Sequence, residues 1–244
     1  MSSSSSIATA ELRADAATRT WRWPRYWPLA AVLLLLTIVC DLGPLDQWIA
    51  AQFYDAGHGL FPARKAYWAA SVLHRGGIWL VALVAALALG VWLLSFRRRR
   101  LRAWRGAALY VLVCIAVTTG SVALLKQASP ADCPWDVSDY GGTTPYYRVL
   151  AMRPPGTPPG HCFPGAHSAG GFSLLALAFI VAARWPRRAW LAIGAVLAIG
   201  MVYACTQWAR GAHFASHDLF SAWLAWTVAS SLARAVCLNG AARA

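Results

Sequence analysis

Arg210, His213, His217 and Asp218 fall within nine positions of one another in the stretch Q-W-A-R-G-A-H-F-A-S-H-D-L. One histidine beside an apolar segment is ordinarily a hydrogen-bonded bystander; two imidazoles with a guanidinium and a carboxylate point to chemistry. A second set lies upstream. Lys126 opens K-Q-A-S-P-A-D-C-P-W-D, and His167 falls in H-C-F-P-G-A-H-S-A-G-G-F. Together these residues match what phosphoryl transfer through an enzyme nucleophile requires. Cations hold the phosphate oxygens, one imidazole attacks, another protonates the leaving oxygen, and an acid or imidazole orients the attacker. Pro164-Gly165-Ala166-His167 adds small residues at a helix start, where unpaired N–H groups suit a close-approaching anion. A metal site is the competing reading. It is weaker, because no HExxH, CxxC or HxH spacing occurs and Lys and Arg are poor neighbours for a divalent cation. Neither a metal nor a cofactor is expected.

The elements that must position these groups follow from composition. With 22 Lys+Arg against 9 Asp+Glu the net charge is +13, yet 59% of the 244 residues are apolar and only 13% charged. That excludes a disordered chain, and so much Leu, Ala, Val and Trp argues against a nucleic-acid binder. The apolar residues gather into six blocks: Tyr26–Pro44, Gly76–Phe96, Trp104–Leu125, Gly165–Ala183, Ala189–Gln207 and Leu219–Cys237. Each approaches the roughly 20 residues a membrane-crossing helix needs. The expected fold is an all-α polytopic bundle of six transmembrane helices. A polar tail (1–25) precedes the membrane domain (26–237), which has an outer loop over 126–165, and a short tail (238–244) follows. The first block reads as an uncleaved signal anchor.

Basic residues set the orientation, since Lys and Arg collect on the cytoplasmic side. With both termini inside, Arg13, Arg19, Arg22, Arg25, Arg97–Arg100, Arg102, Arg105, Arg184, Arg187, Arg188, Arg234 and Arg243 fall inside, 15 of the 22 basic residues. All six histidines and seven of the nine acids then fall outside, which places a reaction or binding site at the outer membrane face. The loop before His167 spans about forty residues, longer than an ordinary connection. Trp135, Tyr140, Tyr146, Tyr147 and Phe163 mark it as an ordered lid. Of six cysteines only Cys133 and Cys162 lie in outer segments, and an isolated pair in an oxidising envelope is expected to bridge. Closing that loop would stabilise by about 3–4 kcal/mol in the chain-entropy model.

Three short patterns resemble those of the membrane type-2 phosphatidic acid phosphatases, relatives of the vanadium haloperoxidases, whose motifs are K-x6-R-P, P-S-G-H and S-R-x5-H-x3-D. The matching stretches are Lys126 through Cys133-Pro134, then Pro164-Gly165-Ala166-His167, then Arg210, His213 and the His217-Asp218 pair, within roughly residues 104 to 237. The resemblance implies a metal-independent phosphatase in which His213 is transiently phosphorylated and His167 is the general acid. Lys126 and Arg210 would hold the phosphate, helped by N–H groups around Gly165, Ala166 and His167.

The departures are specific. Cys133 stands at the first motif's arginine, leaving Arg148 or Arg153 of the same loop to replace it. Gly165 stands at the second motif's serine, with Ser168 as the substitute hydroxyl. In the third motif Gln207 takes the arginine position, and spacing favours His217 over Asp218 as the orienting group. C-P-W-D and R-G-A-H-F-x-S-H are similar to patterns of a bacterial branch of the family. The implied substrate is a lipid phosphate or diphosphate in the bilayer, hydrolysed at the periplasmic face of the inner membrane, with no nucleic acid involved. A lipid-to-lipid phosphotransferase using the same site is one alternative. A transporter is the other, although no charge lies deep in the spans between the second and sixth blocks.

Overall fold

The computed structural model describes residues 26–241, with side chains to residue 233. The tails 1–25 and 242–244, with the arginines of the orientation argument that they carry, lie outside the described residues, as do the side chains of Arg234 and Cys237. Among the described residues there is no strand, only two isolated bridges, Asp55 to Leu60 and Val137 to Thr144.

Helix α1, Trp27–Leu42, is a run of Leu, Val, Ile and Ala with Pro28 in its first turn, where a missing N–H is harmless. Pro44 cannot continue the ladder, so the chain bends by 76° into the short α2, Leu45–Ala51. Trp68–Arg75 is wound as a π-helix and runs directly into α3, Gly76–Leu94. This helix therefore starts eight residues ahead of the block read from Gly76. After a 3-10 turn over Arg99–Trp104 comes α4, Arg105–Ala128. Next are α5, Ala166–Ser173, and α6, Leu175–Arg184, separated only at Leu174. Helices α7, Ala189–Ala209, and α8, Ala215–Ala241, complete the bundle.

Among the described residues four helices are long and apolar enough to cross a membrane: Trp68–Leu94, Arg99–Ala128, Ala166–Arg184 and Pro186–Ala209. The bent α1–α2 pair makes a fifth if it counts as one span. The sixth expected span, Leu219–Cys237, lies on α8, which is 27 residues long; its side chains are described only to residue 233, and it is not among those helices.

The interior is packed around Trp226, Phe172, Phe179, Leu175 and Ile193, all fully buried. Helix α8 meets α1, α4 and α5 with Ala222, Ala225, Ala229 and Ala233, small side chains that let backbones approach. Tyr110 Oη donates to the Ala229 carbonyl at 2.8 Å, and Trp226 Nε1 to that of Tyr26 at 3.0 Å. The outside is apolar too. Trp79, Leu83, Leu87, Leu124 and Leu191 are more than half exposed, a pattern compatible with a multi-pass protein surrounded by lipid.

Helix polarity sorts the chemistry to one end. The ends of α4 and α7 and the starts of α5 and α8 carry Lys126, Arg210, His167 and the His213 turn. The opposite end carries the arginine loops, where Arg105 binds Ser95 and Arg184 covers the Trp104 ring at 4.1 Å. A second apolar cluster, Ala50, Phe61, Val137, Tyr140 and Phe214, roofs the site end. Tyr140 Oη donates to the Gln47 carbonyl at 2.7 Å and the Val149 N–H to Asp41 at 2.9 Å, so the long loop is clasped to the α1–α2 pair.

Candidate active site

His213 sits in the non-helical turn between α7 and α8. Gly211 makes that turn possible: its φ is +68°, and a Cβ there would lie 2.3 Å from the Phe61 ring. The turn is pinned by the Trp135 N–H on the Gly211 carbonyl at 3.0 Å. Asp46 of α2 reaches the start of α8, accepting the Ser216 N–H at 2.8 Å and the Ser216 hydroxyl, so a buried carboxylate meets unpaired donors of the first turn.

The partner of His213 is Asp218. Its Oδ1 lies 2.8 Å from His213 Nδ1 and takes the Ser168 hydroxyl at 2.5 Å, while Oδ2 takes Trp208 Nε1–H at 2.7 Å. Three donors satisfy a carboxylate that is only 1% exposed. Because a carboxylate only accepts, the proton of neutral His213 belongs on Nδ1, which leaves Nε2 with its lone pair free.

His217, favoured by spacing, does not make this contact. Its ring packs edge-on to Phe163 and Phe214, its Nδ1 has no hydrogen-bond partner among the described residues, and its carbonyl accepts the Gly165 N–H at 3.0 Å. Gly165 therefore spends its N–H on the protein. Ser168, expected as a phosphate contact, gives its hydroxyl to Asp218. A Cβ on Gly165 would lie 2.0 Å from Asp218 Oδ1, so the missing serine and the shifted carboxylate account for each other. Ala166, exposed, starts α5, whose first turn has no side-chain cap.

His167 is 9% exposed, and its Nε2 has no hydrogen-bond partner among the described residues. Its ring lies between those of His74 at 4.4 Å and Tyr203 at 4.9 Å. Lys126 Nζ donates to the Cys162 carbonyl at 3.1 Å, leaving two ammonium hydrogens. Arg210 Nη1 donates to Gln207 Oε1 at 3.0 Å, and Gln207 Nε2 lies 3.2 Å from His74 Nδ1. Burial and the Arg64 guanidinium pull the pKa of Arg210 below the ordinary arginine value. Arg210 Nε also donates to the Arg64 carbonyl at 3.5 Å, while the Arg64 guanidinium lies over the Trp135 ring at 4.4 Å.

The loop arginines are placed differently. Arg153 is paired with Asp132 at 2.7 Å, binds the Pro130 carbonyl and lies over Tyr147, so it fastens the loop. Arg148 is exposed. Cys133 and Cys162 are joined by a disulfide with Cα atoms 5.3 Å apart, tying the stretch after Lys126 to the stretch before His167. Among the described residues no group of three His, Cys, Asp or Glu could hold a metal ion.

Residues 107–239, more than half of the chain, match the model of the PAP2 superfamily. The chain belongs to this superfamily. PAP2 proteins are phosphatases, so hydrolysis of a phosphate ester is the activity the match supports. No curated protein and no solved structure matches the chain. The PAP2 match contains Lys126, His167, Arg210, His213 and Asp218. It does not reach Asp46, which binds Ser216 at the start of α8, Arg64, whose carbonyl meets Arg210, or His74, which lies against His167, and none of the three is assigned to the site from sequence. His74 and Asp46 carry a signal only as members of the outer sets of histidines and acids.

Proposed function

We propose that the protein is a lipid phosphatase of the membrane that removes a phosphate from a lipid phosphate monoester or diphosphate at the outer face, the periplasmic one in a bacterium. The observation that carries this reading is the buried His213–Asp218 pair, with Lys126 and Arg210 on the neighbouring helix ends and a second imidazole, His167, whose Nε2 has no hydrogen-bond partner among the described residues. His213 Nε2 attacks phosphorus while Asp218 holds Nδ1–H and stabilises the imidazolium character that develops. The P–O bond to the lipid breaks, and His167, protonated in this step, gives its proton to the leaving oxygen. Water, deprotonated by His167, then cleaves the P–N bond and releases inorganic phosphate. Lys126 and Arg210 offset the charge on the non-bridging oxygens. A phosphate held at one end of apolar helices favours a substrate whose tail stays in the bilayer. The α1–α2, α3 and α7 helices supply outward apolar surface for it.

Acid-quenched protein incubated with labelled lipid phosphate should carry acid-labile phosphate in the wild type and none in His213→Ala, which should also release no phosphate with a chelator present. Equal labelling of the two proteins would remove His213 from the role of nucleophile. Transfer of label to a second lipid in place of water would identify a phosphotransferase.

A further inference from the structure

His74 is the feature of this pocket with no role so far. It sits on the last turn of the π-helical stretch Trp68–Arg75, and π-turns inside helices recur at functional sites. The wider winding aims an imidazole from the start of α3 at the His167 ring, 4.4 Å away. It is half-buried, and Gln207, whose Oε1 accepts from Arg210, lies 3.2 Å from its Nδ1, so His74 and Arg210 share one hydrogen-bonded chain.

Hydrogen-bond logic fixes its protonation. Arg210 can only donate, so the Gln207 atom facing it is the oxygen and the atom facing His74 is the NH₂. That group donates, hence Nδ1 of His74 accepts and the ring proton is on Nε2. Taking a second proton would place N–H against N–H, so Gln207 holds the ring neutral.

Resting on the phosphatase reading, we propose that His74 is a phosphate-binding residue, whose Nε2–H donates to a non-bridging oxygen of the substrate phosphate between His213 and Arg210. Gln207 is the positioning residue that fixes the tautomer and couples it to Arg210. The other groups facing His74 are His167 and His213 across the pocket, Arg210 at the end of α7, Tyr203 behind His167 and Arg75 beside it on its own helix. None is a carboxylate that would compete for the N–H.

Orthovanadate is the probe, its affinity read both from inhibition of phosphate release and from thermal stabilisation of the detergent-solubilised protein. His74→Ala should weaken vanadate about 10–100-fold, the range for a hydrogen bond to a charged group. His74→Gln, which restores an N–H donor, should recover part of that loss. Unchanged vanadate affinity in a folded His74→Ala protein overturns the proposal. So does a shifted pH profile of turnover with intact vanadate binding, which would make His74 a proton carrier. If His74→Ala does not fold, Gln207→Glu decides. The carboxylate can only accept, so it draws the ring proton to Nδ1, and vanadate binding should fall as pH rises and the imidazole loses its second proton. Wild-type affinity at every pH in Gln207→Glu would also overturn the proposal. A wild type that binds vanadate but releases no phosphate from any lipid phosphate would sink the phosphatase reading while leaving the His74 comparison readable.

Discussion

At the scale of single residues, Asp218 and His217 are adjacent in sequence and face different work. Counting four residues from His213 selects His217, but that count assumes a continuous helix. His213 precedes α8, which begins at Ala215, so helical spacing does not apply across the turn and the carboxylate five residues on makes the contact. Asp218→Asn cannot accept all three donors, so Nδ1 of His213 loses its fixed proton. Turnover should fall by about 10²–10⁴-fold, as in triads with a disturbed tautomer, and the buried donor left unpaired should lower stability by about 1–3 kcal/mol. His217→Ala should lose stability without a comparable loss of turnover. It empties the space beside Phe163 and Phe214, at a cost of about 2–4 kcal/mol for a buried large-to-small change, while folded protein keeps most of its kcat. Paired measurements of kcat and Tm check both, and equal losses of kcat would show that both groups serve His213.

Among elements, the seam between α5 and α8 explains why the motif residues depart from those the resemblance implies. Gly165 N–H meets the His217 carbonyl, Ser221 donates to the Gly165 carbonyl at 2.9 Å, and Asp218 fills the space a Cβ would need. Restoring the serine by Gly165→Ser should therefore lower activity at least 100-fold and depress Tm, while Ala166→Ser, one residue on and exposed, should be tolerated; kcat and thermal unfolding read both. A Gly165→Ser protein as active as wild type would refute this account of the seam. The apolar blocks were legible because a helix in lipid is apolar on every side, so hydropathy alone marks its extent. The π-helical start of α3 was not, since Trp68–Arg75 mixes Ser, His and Arg into its run and nothing in residue types distinguishes that winding. Nor could spacing show Asp46 on Ser216, partners 170 residues apart that meet only once α2 has folded back at Pro44.

For the whole molecule, the arginine loops and the reactive groups lie at opposite ends of the helices that carry them, and charge asymmetry predicts which side of the membrane each end faces. Reporter enzymes inserted at Gly156, exposed on the long loop, and after Arg98 should report opposite sides of the membrane, the former outside. A cytoplasmic signal from the Gly156 insertion would reverse the assignment of the working face. The clasp of α2 and the π-helical segment onto the later helices has a further bearing on modularity. The recognisable segment starts at residue 107, yet Phe61 backs the Gly211 turn, Asp46 closes the start of α8 and His74 lies against His167. A chimera joined at that boundary would keep the nucleophile and exchange one wall of its pocket. Substrate choice in such hybrids would travel with residues 1–106, and an exchange that preserves the site must be cut ahead of Trp27.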